Sequence, residues 1–92
     1  METKNIVSPP DSRRIKSRKV FLSPGEEVGE HVTEKREEVI IVLKGKVTLE
    51  KEDQEIQLHE GESYFISEGV KHNVKNESDE PLEYVYVVSL LD

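Results

Sequence analysis

Cysteine is absent from this 92-residue chain, which excludes disulfide bonds, thiolate chemistry and cysteine-ligated zinc. Long apolar runs are absent as well, since the run Val39–Leu43 is far too short to span a bilayer. The N-terminus shows no signal-peptide pattern. From these absences we predict a cytoplasmic protein that has no membrane partner.

Hydrophobic residues make up only 34% of the chain, whereas charged residues make up 36%. A chain of this length forms one domain with a lean core, and oligomerisation is a natural way to bury more apolar surface. Lysine and glutamate are abundant and glutamine occurs only twice. This composition is typical of proteins from thermophiles.

The net charge of −7 hides an uneven distribution. Residues 1–20 hold six basic residues and two acidic ones, whereas the other 72 residues hold seven basic and eighteen acidic ones. Basic segments can bind nucleic acid. Here the acidic body would repel phosphate and no aromatic residue lies among the bases, so we predict no nucleic-acid partner. The basic segment can instead pair with its own domain or with a partner subunit.

The chain divides into an irregular arm, residues 1–14, and a folded domain, residues 15–92. The arm contains Ser8-Pro9-Pro10, and proline removes a hydrogen-bond donor and restricts the residue before it. Short apolar and alternating segments, with turn residues every eight to twelve positions, then predict an all-β sandwich or barrel. The predicted strands are Lys19–Leu22, Gly29–Thr33, Val39–Leu43, Lys46–Lys51, Glu55–His59, Ser63–Ile66, Lys71–Lys75 and Leu82–Leu90.

A helix has one plausible location, Glu30–Leu43, where several good helix formers occur. The β-branched run Val39–Val42 favours a strand instead. Two predicted strands, Val39–Leu43 and Tyr84–Val88, are apolar on both faces. Such strands lie centrally in a sandwich or are covered by another subunit, so we predict a homodimer.

Two segments contain residues that can carry chemistry. In the first, His31 and Thr33 are two residues apart and project to the same face of a strand, and Glu38 follows a short charged turn. In the second, His72 begins a later strand. Histidine and carboxylate side chains that converge in a β-scaffold indicate a metal site or a polar ligand pocket. Among the neighbouring acids we expect Glu38 to point inward and Glu37 outward.

These two segments resemble the two motifs of the cupin superfamily, G-x5-H-x-H-x(3,4)-E-x6-G and G-x5-P-x-G-x2-H-x3-N. Gly25, His31, Glu38 and Gly45 match the first motif, with Thr33 at the second histidine position. Gly61, Gly69, His72 and Asn76 match the second, with Ser67 at the proline position. The resemblance covers residues 19–90 and implies an all-β fold, the cupin double-stranded β-helix or jelly-roll barrel.

In metal-binding cupins, the motif histidines and glutamate coordinate a divalent metal ion. Carried over by position, the resemblance implies that His31, Glu38 and His72 are metal ligands. Thr33 leaves the set one ligand short, because a neutral hydroxyl is a much poorer ligand than imidazole. Two histidines and one carboxylate suit iron, manganese or zinc with open positions, and nickel is a further candidate.

The resemblance supports two functional hypotheses. In the first, the barrel holds a divalent metal whose open positions bind a small molecule, with oxygenase or isomerase activity as candidate chemistry. In the alternative, the protein is a metal-free small-ligand-binding or sensing module without catalysis, and Tyr64, Tyr84 and Tyr86 help to line its pocket. No catalytic residue and no organic cofactor are assigned. His59 has no motif role and is predicted to be an ordinary surface residue.

Overall fold

The structure is a computed structural model that describes residues 1–91. Nine β-strands account for the regular structure of these residues, and none of them is in a helix. No membrane-spanning helix was found among the described residues. The strands are β1 (Glu2–Val7), β2 (Ile15–Leu22), β3 (His31–Val32), β4 (Arg36–Lys44), β5 (Lys46–Lys51), β6 (Gln54–His59), β7 (Ser63–Ile66), β8 (Lys71–Lys75) and β9 (Leu82–Leu90).

The strands form two antiparallel sheets that enclose the core. The five-stranded sheet has the order β1-β2-β9-β4-β7, and the four-stranded sheet has the order β3-β8-β5-β6. Because side chains alternate between the faces of a strand, every second residue of the central strands points between the sheets. The core consists of such residues, among them Val20, Leu22, Ile40, Val42, Val47, Leu49, Leu58, Ile66, Val74, Leu82 and Tyr84. The predicted all-β fold is confirmed.

Most predicted strand boundaries agree closely with the structure. The strands β5, β7, β8 and β9 have the predicted bounds. The strands β2 and β4 are longer than predicted, because β9 pairs with both along their length and extends the ladder into polar sequence. The strand β3 is shorter than predicted and covers only two residues.

The predicted irregularity of the N-terminal arm is wrong for residues 2–7. These residues form β1, which pairs antiparallel with β2 from Glu2 opposite Phe21 to Val7 opposite Ser17. The N-terminal amine also lies 2.6 Å from a carboxylate oxygen of Glu26. Side chains of β1 are mostly exposed, so the strand is held by backbone hydrogen bonds and leaves no alternating apolar pattern in the sequence.

The outer face of the five-stranded sheet carries a continuous apolar patch. Cross-strand register places Val87 beside Val39 and Val39 beside Phe65, with Val85 beside Ile41 in the next row. Phe65 is 54% exposed. The prediction that β4 and β9 are apolar on both faces is therefore confirmed, and their outer residues have no second layer over them among residues 1–91.

Gly45 is the turn between β4 and β5 and lies close to the chain that leads into β9. Its φ is +88°, and a Cβ atom at this position would lie 2.6 Å from the Pro81 carbonyl oxygen. Gly61 has a similar φ of +85°, but a Cβ atom there would meet nothing within 4 Å. Alanine substitutions at these two positions therefore separate the free-energy cost of the backbone conformation from that of the contact with Pro81.

We expect Gly45→Ala to lower the free energy of unfolding by about 2–4 kcal/mol, because left-handed backbone strain adds to displacement of the Pro81 backbone. Gly61→Ala is the matched control and should lose only about 1–2 kcal/mol, from the backbone strain alone. Urea unfolding followed by circular dichroism measures both. Equal losses of unfolding free energy in the two variants would show that the close contact with Pro81 does not add to the destabilisation.

Candidate metal centre

The pairing of β3 with β8 brings the two motif histidines together. His31 lies directly opposite His72 in this antiparallel pair. Their ring centroids are 4.2 Å apart, and the ring planes cross at 61°. His72 is 1% exposed, whereas His31 lies at the solvent-accessible side of the pair. A two-residue strand is thus sufficient to position one histidine against the other.

Glu38 reaches the two histidines from the opposite sheet. It lies on β4, is 8% exposed and points inward, whereas Glu37 is exposed. One carboxylate oxygen of Glu38 lies 3.7 Å from Nε2 of His72. One potential ligand atom from each of His31, Glu38 and His72 lies within 4.8 Å of the others. The predicted inward orientation of Glu38 is confirmed, and all three predicted site residues meet at one place.

Backbone carbonyls orient both imidazole rings. Nδ1 of His31 lies 2.8 Å from the Gly29 carbonyl oxygen, and Nδ1 of His72 lies 3.1 Å from the Val70 carbonyl oxygen. A carbonyl oxygen can only accept a hydrogen bond, so Nδ1 carries the proton in both rings. In the neutral form of each ring, Nε2 therefore offers a lone pair. Hydrogen bonding of the second ring nitrogen in this way is usual for histidines that bind metal.

Nε2 of His72 is a buried polar atom with no hydrogen-bond partner among residues 1–91. Buried polar groups in folded proteins are nearly always satisfied, so this atom requires a partner. Burial by itself lowers the pKa of His72, but the Glu38 carboxylate and the Val70 carbonyl outweigh it and the pKa lies above its ordinary value. Without a metal ion, the raised pKa favours a proton on Nε2 that faces Glu38.

Thr33 lies beside His31, Glu38 and His72, but its hydroxyl is hydrogen-bonded to the backbone. Its side chain donates a hydrogen bond to the Val70 carbonyl oxygen at 3.0 Å, and its backbone amide donates to the same oxygen. Thr33 is 1% exposed. The residue therefore ties the end of β3 to the loop before β8, which is a structural role rather than that of a ligand.

Asn73 holds the loop that carries His31. Its side-chain oxygen accepts a hydrogen bond from the Gly29 amide at 2.9 Å, and its side-chain nitrogen donates to Glu27 at 3.2 Å. The Gly29 carbonyl is in turn the group that orients His31. The order of these contacts makes Asn73 a positioning residue for the exposed histidine, a role that the sequence motifs do not indicate.

The cluster opens into a cavity of about 160 Å³, which we call the site cavity. It is lined by Val28, His31, Val32, Thr33, Arg36, Glu38, Tyr86 and Val88. Of the three tyrosines predicted to line a pocket, only Tyr86 does so. Tyr84 is buried in the core, and the Tyr64 hydroxyl accepts a hydrogen bond from Lys51.

The motif comparison missed four residues that line the site cavity, which are Val28, Val32, Arg36 and Val88. Arg36 lies two positions before Glu38 on the same inward face of β4, and Val88 is the cross-strand neighbour of Glu38 on β9. The spacing-of-two rule applied to Glu38 would have found Arg36. Finding Val88 requires the register between β4 and β9, which the sequence alone does not supply.

A larger groove of about 820 Å³ lies away from these residues. His59 lines it, together with lysines and acidic residues at the β4–β5 turn and before β9. His59 is exposed, and Glu62 binds both its backbone amide and its ring. Among residues 1–91, His31, Glu38 and His72 are the one group arranged to hold a metal ion. The structure thus agrees with the prediction that His59 is a surface residue.

Comparison with known proteins gives one family. The family model described as "Cupin domain" matches residues 18–88. A curated relative is the tetracenomycin polyketide synthase protein TcmJ of Streptomyces glaucescens, which is 27% identical over 72 residues. The match covers 78% of this chain but only 48% of TcmJ, so the chain spans about half the length of that relative.

Solved structures share the same fold. The protein TT1209 from Thermus thermophilus superposes with a TM-score of 0.88 at 27% identity, over 100% of this chain and 85% of that chain. A protein from Thermotoga maritima described as a predicted oxalate decarboxylase gives a TM-score of 0.84 at 25% identity, over 97% and 79% of the two chains. A double-stranded β-helix domain protein from Klebsiella pneumoniae gives 0.86 at 19% identity, over 97% and 76%.

Proposed function

Because the chain belongs to the cupin family, we propose that it binds a divalent metal ion through His31, Glu38 and His72 and holds a small molecule at the open positions of that metal. Iron, manganese, zinc and nickel are the candidate ions. The buried, unpartnered Nε2 of His72 is the observation that carries this proposal. The Glu38 carboxylate lies 3.7 Å from this atom, which is too distant for a hydrogen bond.

The geometry of the three residues fits a metal ion without large movement. Two ligand atoms that each lie at about 2.1 Å from one ion are separated by about 3–4 Å, depending on the angle between them. The His72–Glu38 distance of 3.7 Å falls within this range, and the full spread of 4.8 Å is slightly larger. Rotation of the exposed His31 side chain would close the difference.

The chain itself supplies orientation and a partly dry surrounding for bound substrate. The two backbone carbonyls fix both rings, and Val28, Val32 and Val88 make one side of the site cavity apolar. A bound divalent metal would act as a Lewis acid or bring substrate and oxygen together. Oxygenase and isomerase activities are the reaction classes that we propose.

We expect purified protein to bind about one equivalent of Zn²⁺ or Mn²⁺ per chain. Replacing a ligand should weaken binding by at least about 100-fold, since even changes to residues behind the ligands cost 10–100-fold. The variants are His72→Ala and Glu38→Gln, and the readouts are calorimetric titration and elemental analysis after dialysis. His59→Ala is the matched control, because it removes an exposed histidine outside the cluster.

Uptake of metal by wild type and His59→Ala, but not by the two ligand variants, supports the proposed site. A folded wild-type protein that takes up no metal would contradict it and favour the alternative, a metal-free ligand-binding or sensing module. In that module the His72–Glu38 ion pair and the Tyr86 hydroxyl would face the ligand. Circular dichroism checks that each variant is folded.

Thr33→His tests whether the site is one ligand short. If the added imidazole reaches the same ion, metal affinity should rise by about tenfold or more, equal to about 1.4 kcal/mol. Thr33→Ser is the control, because it can keep the hydrogen bond to Val70 without adding a ligand. Calorimetric titration of both variants measures the difference. A folded Thr33→His variant with unchanged affinity would show that this position does not face the ion.

We also propose that a second copy of the chain covers the apolar patch formed by Val39, Ile41, Phe65, Val85 and Val87. Charge supports a two-fold arrangement. Lys4 and Lys19 lie at the β1–β2 side of this face, where Lys19 is paired with Glu83, and Glu62 and Glu68 precede and follow β7 at the other edge of the sheet. A two-fold axis through the patch would place the basic side of one copy against the acidic side of the other.

Phe65→Glu should convert the dimer into a monomer, because it replaces the most exposed apolar side chain of the patch with a charge that the second copy would bury. Light scattering after size-exclusion chromatography gives the mass. Gln54→Glu is the control, since it adds the same charge on β6, in the opposite sheet. A wild-type protein that is monomeric at all concentrations would contradict the proposal.

A cytoplasmic location, a thermophilic source and the lack of a nucleic-acid partner stay predictions.

A further inference from the structure

We propose that Arg36 binds the carboxylate group of a small organic acid whose other end reaches the metal position, so that the site cavity selects organic anions over neutral molecules of the same size. This inference rests on the proposed metal site. It adds to that site a substrate class and a residue that determines specificity.

Arg36 is placed at the cavity by the strand that carries Glu38. It is the first residue of β4, and residues two apart in a strand project to the same face about 7 Å from one another. The side chain is partly buried and lines the site cavity together with His31 and Glu38. A molecule that contacts both the metal position and Arg36 therefore needs only a short chain between its two polar ends.

The guanidinium of Arg36 has little to satisfy it within the protein. Its Nε donates a hydrogen bond to the Glu34 carbonyl oxygen at 3.3 Å, which anchors the side chain. Its two terminal nitrogens form no hydrogen bond or ion pair with residues 1–91. A partly buried charge without a counter-ion is unfavourable, and a bound anion would offset this cost.

Arg18, on the same sheet, is an arginine with a structural role. It is the cross-strand neighbour of Tyr86, but its guanidinium donates hydrogen bonds to the side chains of Thr3 and Asn5 on β1. Arg18 therefore holds the N-terminal strand. Arg36 has no comparable partner among the described residues, and its planar fork of donors matches a carboxylate in a bidentate geometry.

The other walls of the cavity fit a small carboxylic acid. The cavity volume of about 160 Å³ is small and suits a short-chain acid. Tyr86 lines the same space, and burial raises the pKa of its hydroxyl, so that it keeps its proton and can donate to an anion. The valines of the cavity would contact the short carbon chain.

Metal binding and anion binding are coupled in this arrangement. Without metal, the carboxylate of Glu38 lies beside the anion site and repels a second carboxylate. With a divalent cation bound by the cluster, the charge of Glu38 is compensated and both ends of the ligand meet positive charge. We therefore expect organic anions to bind the metal-loaded protein and not the metal-free protein.

The test uses malonate and its neutral analogue malonamide as probes of the Mn²⁺-loaded protein in calorimetric titrations. Wild type should bind malonate at least about tenfold more tightly than malonamide, because hydrogen bonds between two charged groups are stronger than those to a neutral amide. Arg36→Gln should reduce this preference by about tenfold, because only the metal end would then favour a carboxylate, and Arg36→Lys should restore part of it. Arg13→Gln removes an exposed arginine outside the cavity and should change nothing.

Metal titration of the same variants separates this inference from the proposed function. Arg36→Gln that binds Mn²⁺ like wild type but has a clearly smaller preference for malonate supports the role of Arg36. Equal binding of malonate and malonamide by wild type, or an unchanged preference in Arg36→Gln, would overturn it while leaving the metal site intact. A wild-type protein that binds no metal would overturn the proposed function and this inference together.

Discussion

The antiparallel pairing of β3 with β8 is the constraint on which the site depends. It sets His31 opposite His72, yet β3 contributes only two residues to the ladder. Four further hydrogen bonds hold this short pairing in register. The Thr33 hydroxyl and amide both donate to the Val70 carbonyl, the Gly69 amide donates to the Thr33 carbonyl, and the Gly29 amide donates to the Asn73 side chain. The Val70 carbonyl also orients His72. The same few backbone groups thus position the strand, the loop and one of the two imidazole rings, so that a disturbance of any of them would reach the others.

The second requirement is that the two sheets approach each other closely enough for Glu38 to meet the histidines. The large aliphatic residues between the sheets set this distance, and most of them are fully buried. The polar cluster lies at one end of that apolar core, where Tyr86, Val28 and Val88 separate it from solvent in part. Burial strengthens the interaction between the ion pair and its surroundings, and Nε2 of His72 has no hydrogen-bond partner among residues 1–91. The fold therefore creates a buried polar position where two imidazole rings and a carboxylate lie close enough together to hold a cation.

Periodicity in the sequence was a reliable guide wherever side chains alternate between core and solvent. It located β5, β7, β8 and β9, and it assigned Glu38 to the inner face and Glu37 to the outer one. It failed for β1, because this edge strand buries almost no side chain and is held by backbone pairing with β2. It also assigned too broad a role to the tyrosines. Tyr84 and Tyr86 have the same spacing of two and the same inward direction, but Tyr84 enters the core and only Tyr86 reaches the cavity.

The sequence by itself determined the fold class and the family motifs, and the resemblance to those motifs named the three residues that converge. Only the tertiary structure decided how those residues meet. Several features of the site depend on how strands and loops come together. These are the Nδ1 contacts of both histidines, the unsatisfied Nε2 of His72, the hydrogen bond from the Thr33 hydroxyl to Val70 and the single Nε contact of the Arg36 guanidinium. The physical reason is that hydrogen bonding and burial depend on which atoms lie close together in space. Cross-strand register brings such atoms together, and the residue spacing within a single segment does not determine that register.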